Sequence, residues 1–245
     1  MKAIILASGV GRRLRPLTDR YPKSLIRIGD RTIIDYQLEA LVKHGVYDIA
    51  ITTGHLGKKL EEHVRENSAV PVRFVHNPEY EHTNYIYSLW LTKGLVDDDI
   101  ILLHGDLLFD SVLIKKLLDA RGNRVLVNRK VLSPKKDFKA LIKRGRVVRI
   151  GVNLSGPGTF FCAPMYKFSK ADFRLWLDKI EDFIMRGKVD CYAEDAFNEI
   201  SDEVLLRPLY FEEFCVEIDT KAELEKTRRH LQSESLGAGL RPNSG

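Results

Sequence analysis

Lys2-Ala3-Ile4-Ile5-Leu6-Ala7-Ser8-Gly9-Val10-Gly11-Arg12-Arg13-Leu14-Arg15-Pro16-Leu17-Thr18, with Pro22-Lys23 close behind, is the stretch on which the reading of this chain turns. An apolar run, residues 2–6, has the length and character of a buried strand and ends in a loop with glycines at 9 and 11. Without a Cβ at those positions backbone N–H groups can approach a polyphosphate closely, and Arg12, Arg13, Arg15 and Lys23 supply compensating positive charge. A dinucleotide-binding turn would need a third glycine near position 14, where Leu14 stands, and a P-loop would need Gly-Lys-Ser/Thr, which is absent. The plain alternative is a tight turn with solvated arginines.

Outward from this loop, apolar strand-like runs alternate with amphipathic helical stretches through the first half, the pattern of βαβ units and a largely parallel sheet. Thr32 caps a helix whose Ile33, Ile34, Leu38, Leu41 and Val42 follow a helical period up to His44-Gly45. Strands are expected at 48–53, 72–75 and 99–104, and helices at 58–66 and 84–93. Further on come a hairpin turning near Arg144-Gly145, a strand at 159–163 and helices at 170–186 and 192–201. Short strands near 204–206 and 214–218 precede a last helix at 221–231. A single domain over residues 1–232 is expected, followed by a polar, glycine-rich tail, 233–245, with no apolar period and expected disorder.

Hydrophobic residues make up 44% of the 245 and charged residues 30%, the balance of a soluble globular domain, and no apolar run approaches membrane-spanning length. Residues 3–6 are too short for a signal-peptide core and a highly charged loop follows them, so a cytoplasmic location without membrane insertion is expected. Cys162, Cys191 and Cys215 are too scattered for a zinc spacing and odd in number, which argues against a disulfide framework. The net charge of +5 is concentrated in residues 121–149, where eleven Lys and Arg face one acid, Asp137. No helix-turn-helix, RNA-binding aromatic motif or zinc finger accompanies that block, so no nucleic-acid partner is expected.

His104-Gly105-Asp106 closes the most apolar strand, which places Asp106 at the carboxyl end of a parallel sheet, where ligands of open α/β folds gather. Glu217-Ile218-Asp219 follows the strand-like Phe214-Cys215-Val216. Either aspartate alone reads as a cap or turn residue. Two acids at strand ends opposite a glycine-rich basic loop make a site for Mg²⁺ on a triphosphate, because Mg²⁺ favours one or two carboxylates plus phosphate oxygens and waters.

The string Leu-Ala-Ser-Gly-x-Gly-x-Arg-Leu-x-Pro-Leu-Thr from Leu6 to Thr18, with Pro22-Lys23, resembles the signature of nucleotidyltransferases that activate phosphorylated sugars and alcohols. Asn77-Pro78-Glu79-Tyr80 and Asn84-Tyr85-Ile86-Tyr87-Ser88-Leu89 sharpen the resemblance toward inositol-1-phosphate cytidylyltransferases and bacterial phosphocholine cytidylyltransferases. The resemblance implies a Rossmann-like, GT-A-like α/β fold with a mixed, mainly parallel sheet flanked by helices. It also implies that Asp106 and Asp219 hold Mg²⁺, that Gly9, Gly11, Arg13 and Lys23 hold the triphosphate, and that the loop with Asn84 approaches the base. Leu6, Ala7, Ser8, Gly9, Gly11, Arg12, Arg13, Lys23 and Asn84 are thus the nucleotide-binding candidates, and Arg13, Lys23 and Asp106 the catalytic ones. Arg12 departs from the pattern, which commonly has a small Ser or Thr there; it either adds a phosphate contact or points outward.

The implied reaction needs little beyond positioning. A phosphomonoester, with a second pKa of about 6, is already a dianionic nucleophile at neutral pH. Its in-line attack on the α-phosphorus, with pyrophosphate leaving, is helped by metal and Arg/Lys neutralisation. Where phosphocholine enzymes place a cage Trp, this chain reads Ser133-Pro134-Lys135-Lys136-Asp137-Phe138-Lys139, cationic and without Trp. That stretch repels a trimethylammonium and attracts the phosphate of an uncharged polyol, with Lys136, Asp137, Asp190, Glu194 and Glu217 as acceptor-binding candidates. The expected reaction is therefore CTP plus inositol-1-phosphate giving CDP-inositol and pyrophosphate. The alternatives are phosphocholine, caged by Tyr166, Tyr192 or Trp176, and a sugar-1-phosphate with another nucleotide. A non-catalytic regulatory homologue belongs to a different class, against which the intact loop and both aspartates argue. The only partners implied are the small-molecule substrates, and an oligomer is compatible with them.

Overall fold

Lys2 to Leu6 form a strand buried along its whole length, β1 (Lys2–Leu6), which opens directly into the glycine-rich loop. The computed structural model describes residues 1–131 and 136–239. A small hairpin, β2 (Arg27–Ile28) and β3 (Arg31–Thr32), leads into α1 (Ile33–Lys43). Thr32 Oγ1 accepts from the Asp35 N–H while the Asp35 carboxylate accepts from the Thr32 N–H, a capping box that fixes where the helix starts. Then come β4 (Asp48–Thr53), α2 (Gly57–Asn67), β5 (Val72–His76), α3 (Tyr85–Leu91) and β6 (Ile100–His104). Next are β7 (Leu107–Phe109), α4 (Val112–Asp119), β8 (Asn123–Asn128) and the hairpin of β9 (Lys139–Lys143) and β10 (Arg146–Gly151). The chain continues through β11 (Thr159–Phe168), α5 (Lys170–Met185), α6 (Ala193–Glu199), β12 (Leu206–Tyr210), β13 (Cys215–Glu217) and α7 (Lys221–Gly239).

The main sheet runs β10-β9-β11-β6-β1-β4-β5, with β8 also on β11 and β12 on β8. Its centre is parallel: β1 pairs with β4 and β6, and β4 with β5. β11 is antiparallel to β6, β8 and β9 and turns the sheet into a mixed one. Alternation along β1 feeds two cores. Ile4 faces a cluster with Tyr166, Phe168, Trp176 and Phe197, under α5 and α6. Ala3 and Ile5 face Leu38, Leu41, Leu60 and Leu113 of α1, α2 and α4 on the other side. The result is the expected mixed α/β fold, a mainly parallel central sheet flanked by helices.

Several elements differ from the sequence reading. Residues 107–128, to which it assigns nothing, form β7, α4 and β8. In α4, Leu113, Ile114 and Leu117 are buried at helical spacing, while β8 buries Val125, Leu126 and Val127 inside the block that reads as basic. The strand expected at 159–163 runs on to Phe168, and the one near 204–206 shifts to β12. Helix α7 continues to Gly239, so residues 233–239 of the expected tail have helical backbone, while 240–245 lie outside the described residues. Among the described residues no helix is long and apolar enough to cross a membrane.

Candidate active site

Leu6 and His104 are register partners at the ends of neighbouring parallel strands, so the loops after β1 and β6 open on the same edge of the sheet. The Gly105 N–H donates to Leu6 O at 2.9 Å, and a Cβ on Gly105 would stand 2.8 Å from Ala7 Cβ. Only glycine lets the loops touch, and the touch sets Asp106 beside the phosphate loop. Gly11 has φ 65°, in the left-handed region, and a Cβ there would meet Thr18 Cγ2 at 2.9 Å. Thr18 Oγ1 donates to Gly11 O at 2.9 Å, which folds the following segment under the loop. A Cβ on Gly9, by contrast, would have nothing within 4 Å.

These loops enclose a cleft of about 570 Å³. Every nucleotide candidate lines it: Leu6, Ala7, Ser8, Gly9, Gly11, Arg12, Arg13, Lys23 and Asn84, together with Asp106 and Asp219. Lys23 Nζ donates to Asp106 Oδ2 at 2.5 Å and also to Asp219 Oδ1. Arg13 Nη2 lies 2.8 Å and Lys136 Nζ 3.3 Å from Asp219 Oδ2. Burial works to lower the Lys23 pKa, but the two aspartates outweigh it and hold the ammonium above the ordinary lysine value. Burial likewise pushes Asp219 up, and the cations of Lys23, Arg13 and Lys136 bring it below the usual carboxylate range.

Asp106 Oδ1 is buried and has no hydrogen-bond partner, and neither has Glu217 Oε1. Burial first, then the charges of Asp106, Asp137 and Asp219, hold the Glu217 carboxyl well above its ordinary pKa. Two carboxylates beside a phosphate loop, one with an unpartnered buried oxygen, fit a divalent cation that completes its shell with phosphate oxygens and water. Among the described residues no cluster of three or more His, Cys, Asp or Glu is placed to ligate a metal.

The wall of the cleft around Asn84 includes Asn77, which the sequence reading quotes without a role, and is backed by Ser88 of α3. Asn77, 1% exposed, donates from Nδ2 to Ser88 Oγ at 2.9 Å and Thr83 Oγ1 at 3.1 Å, and its Oδ1 accepts the Glu79 N–H. Ser88 Oγ is 2.6 Å from Ser8 Oγ, so α3 is tied to the phosphate loop through one buried chain of hydrogen bonds. Asn84 Oδ1 accepts the Tyr85 N–H at the start of α3.

Of the acceptor-binding candidates, Lys136, Asp190 and Glu217 line the cleft, and Asp137 and Glu194 do not. Glu194 is corrected to a structural position: it is 1% exposed, and its carboxylate accepts from Tyr166 Oη at 2.7 Å and from Tyr85 Oη. Asp137 sits with its carboxylate 4.0 Å from Lys136 Nζ, and burial raises its pKa. Residues 133–135 of the cationic stretch lie outside the described residues. Lys136 Nζ also lies 2.6 Å from Glu223, so its charge is compensated twice. Trp176 and Tyr166 are fully buried in the core, whereas Tyr192 lines the cleft. Phe138 stands edge-on to Tyr192 at 5.0 Å, the Tyr85 ring is 6.0 Å from Tyr192, and Tyr85 packs edge-on against His104 at 4.6 Å. Of this aromatic wall the sequence offers Tyr192 as a cage candidate, while Tyr85 and Phe138 carry no such role there because their only linear trace is single aromatics in other segments.

A glycine loop on a parallel strand, an Arg and a Lys beside it and two carboxylates opposite define a phosphate-transfer site. The chain belongs to the nucleotidyl transferase family, whose model matches residues 2–127, and it is an enzyme of that class acting on phosphorylated substrates. Over 247 residues it is 30% identical to the choline-phosphate cytidylyltransferase of Streptococcus pneumoniae (strain ATCC BAA-255 / R6), an alignment covering 96% of this chain and 100% of the relative. It is 27% identical to the bifunctional IPC transferase and DIPP synthase of Aquifex aeolicus, over 96% of this chain and 52% of that one. Of solved structures, the inositol-1-phosphate CTP transferase from T. maritima matches with TM-score 0.77 and 26% identity, over 93% of this chain and 96% of that one. The CTP:phosphocholine cytidylyltransferase of S. pneumoniae shares the fold with TM-score 0.79 at 23% identity, over 94% and 98%.

Proposed function

We propose that this protein is a Mg²⁺-dependent cytidylyltransferase that joins CTP to a phosphorylated alcohol with a cationic headgroup, phosphocholine first among them, and releases pyrophosphate. The observation that carries the acceptor is the aromatic wall of Tyr85, Phe138 and Tyr192 in one cleft with Asp190 and Glu217. Aromatic faces with nearby acids attract a quaternary ammonium. Glu217 Oε1 is buried and unpartnered, and a cationic headgroup beside it would favour the ionised form that burial and the neighbouring acids now disfavour. The choice of CTP rests on the relatives named as cytidylyltransferases.

In this scheme the N–H groups of the 9–11 loop, Arg13 and Lys23 hold the triphosphate, and Asp106 and Asp219 hold Mg²⁺. When bound, the metal neutralises and polarises the phosphates. Arg13 and Lys23 offset the repulsion between two anionic reactants, and Asn84 and Tyr85 shape the base side. The acceptor phosphate, already dianionic, forms the new P–O bond at the α-phosphorus, and the α–β bridging bond breaks with its electron pair leaving on pyrophosphate. No side chain need act as general base.

Inositol-1-phosphate, giving CDP-inositol, is the second reading, supported by the T. maritima transferase and by Asp190 and Glu217 as partners for hydroxyls. Its main sequence argument, the cationic stretch, weakens because Glu223 and Asp219 already compensate Lys136. Pyrophosphate release with CTP and each acceptor separates the two. Turnover of inositol-1-phosphate alone refutes the cationic headgroup, and equal efficiency with UTP or dTTP refutes the preference for CTP.

A further inference from the structure

Lys23 stands where its charge has two incompatible uses. The Mg²⁺ reading above, on which this inference rests, needs the oxygens of Asp106 and Asp219 for a metal, yet Lys23 Nζ already joins Asp106 Oδ2 to Asp219 Oδ1. Arg13 and Lys136 take only the other oxygen of Asp219, and Asp106 Oδ1 has no partner, so the ammonium is the only cation the two carboxylates share among the described residues. The three side chains are 15%, 20% and 11% exposed, which makes their interaction strong and poorly screened. We propose that Lys23 is a built-in placeholder for the metal: its ammonium occupies the point between Asp106 and Asp219 in the nucleotide-free protein and leaves it when a triphosphate arrives.

Physical reasons support such an exchange. Two neighbouring carboxylates in a partly buried site repel each other unless a cation stands between them, so an empty pair would weaken the nucleotide-free protein. A tethered lysine competes with free Mg²⁺ at the high effective concentration set by its own linkage. A triphosphate in the 9–11 loop offers the ammonium a new anionic partner and brings a metal with it. Metal and nucleotide then enter together, and the protein does not hold a divalent cation between turnovers.

The test is Mn²⁺ binding to the nucleotide-free full chain, followed by electron paramagnetic resonance of free Mn²⁺, for the wild type, Lys23→Gln, Lys23→Met and Lys23→Gln/Asp106→Asn. The wild type is expected to bind Mn²⁺ only at roughly millimolar concentration, as sites that rely on substrate phosphates do. The single variants are expected to bind it on the order of tenfold more tightly or better, a change the method resolves easily. Their melting temperature should fall in chelator and recover with Mn²⁺, while that of the wild type stays unmoved. Micromolar binding by the wild type overturns the proposal without recourse to any variant. No tightening in folded Lys23 variants, with binding that still depends on Asp106, overturns the placeholder and leaves the metal site standing. Binding indifferent to Asp106→Asn removes the metal site itself, and the inference with it.

Discussion

Replacing Gly105 with alanine is expected to pry the phosphate loop away from Asp106. Gly105 φ lies outside the left-handed region, so the cost is steric: the new Cβ would meet Ala7 Cβ at 2.8 Å, Leu6 O at 2.9 Å and Ala7 Cα at 3.2 Å. All three are main-chain atoms or rigidly attached to the main chain, and ordinary carbon contacts begin at about 3.5 Å. One of the two loops therefore shifts by roughly 0.5–1 Å, with about 1–3 kcal/mol of stability lost to overpacking. A displacement of that size between reacting groups costs on the order of a hundredfold in rate. Urea denaturation measures the first effect and pyrophosphate release the second. Gly94→Ala, where a Cβ meets nothing within 4 Å, is the control. A Gly105→Ala enzyme with near wild-type kcat would refute the claim that loop contact positions Asp106.

Asp106→Ala and Asp219→Ala are each expected to abolish turnover while circular dichroism stays unchanged; near wild-type activity at limiting Mg²⁺ would remove the metal site. Lys23→Ala should impair triphosphate binding or transfer even at saturating metal, whereas Arg12→Ala, at an exposed position of the cleft, should change steady-state constants little. Glu194→Leu leaves the hydroxyls of Tyr85 and Tyr166 unpaired in the interior and should lower unfolding free energy by about 2–4 kcal/mol; a loss below about 0.5 kcal/mol in urea, within the range of ordinary surface changes, contradicts the buried network. Tyr192→Ala should raise KM for phosphocholine roughly tenfold through lost cation–π attraction and leave KM for CTP unmoved, and an equal rise in both would locate Tyr192 elsewhere in the reaction.

The parts of this protein that the sequence makes legible are those whose causes are local. The glycines at 9 and 11 and the cations at 12, 13 and 23 fall within one fifteen-residue stretch and form one wall of the cleft. The Thr32 cap needs only Asp35, and the turn at Arg144-Gly145 needs only two residues able to take φ 49° and 74°. The acceptor side has no such economy. Glu194 reads as an available carboxylate until Tyr85 of α3 and Tyr166 of β11 are folded onto it. Lys136 reads as a free cation until Glu223, at the first turn of α7, is brought to 2.6 Å. β8 is hidden for a related reason: Arg124 and the basic residues after it dominate the linear pattern, while the three apolar residues between Arg124 and Asn128 are covered on both faces.

The cleft is also divided by chain order. The residues proposed to hold a triphosphate come from β1, its loop and the end of β6, all before residue 107, and the Asn77–Ser88–Ser8 bonds tie α3 to that loop. Lys136, Phe138, Asp190, Tyr192 and Glu217 come from beyond residue 135, the first four on connections between later elements and Glu217 at the end of β13. Among the described residues given a role in the cleft, Tyr85 and Asp219 cross the divide. The family model itself stops at residue 127. A lineage built this way can rewrite what it activates by substitution in the late connections, while the donor-handling half is inherited whole; the same partition makes residues 136–219 the stretch in which to seek new acceptors by directed change.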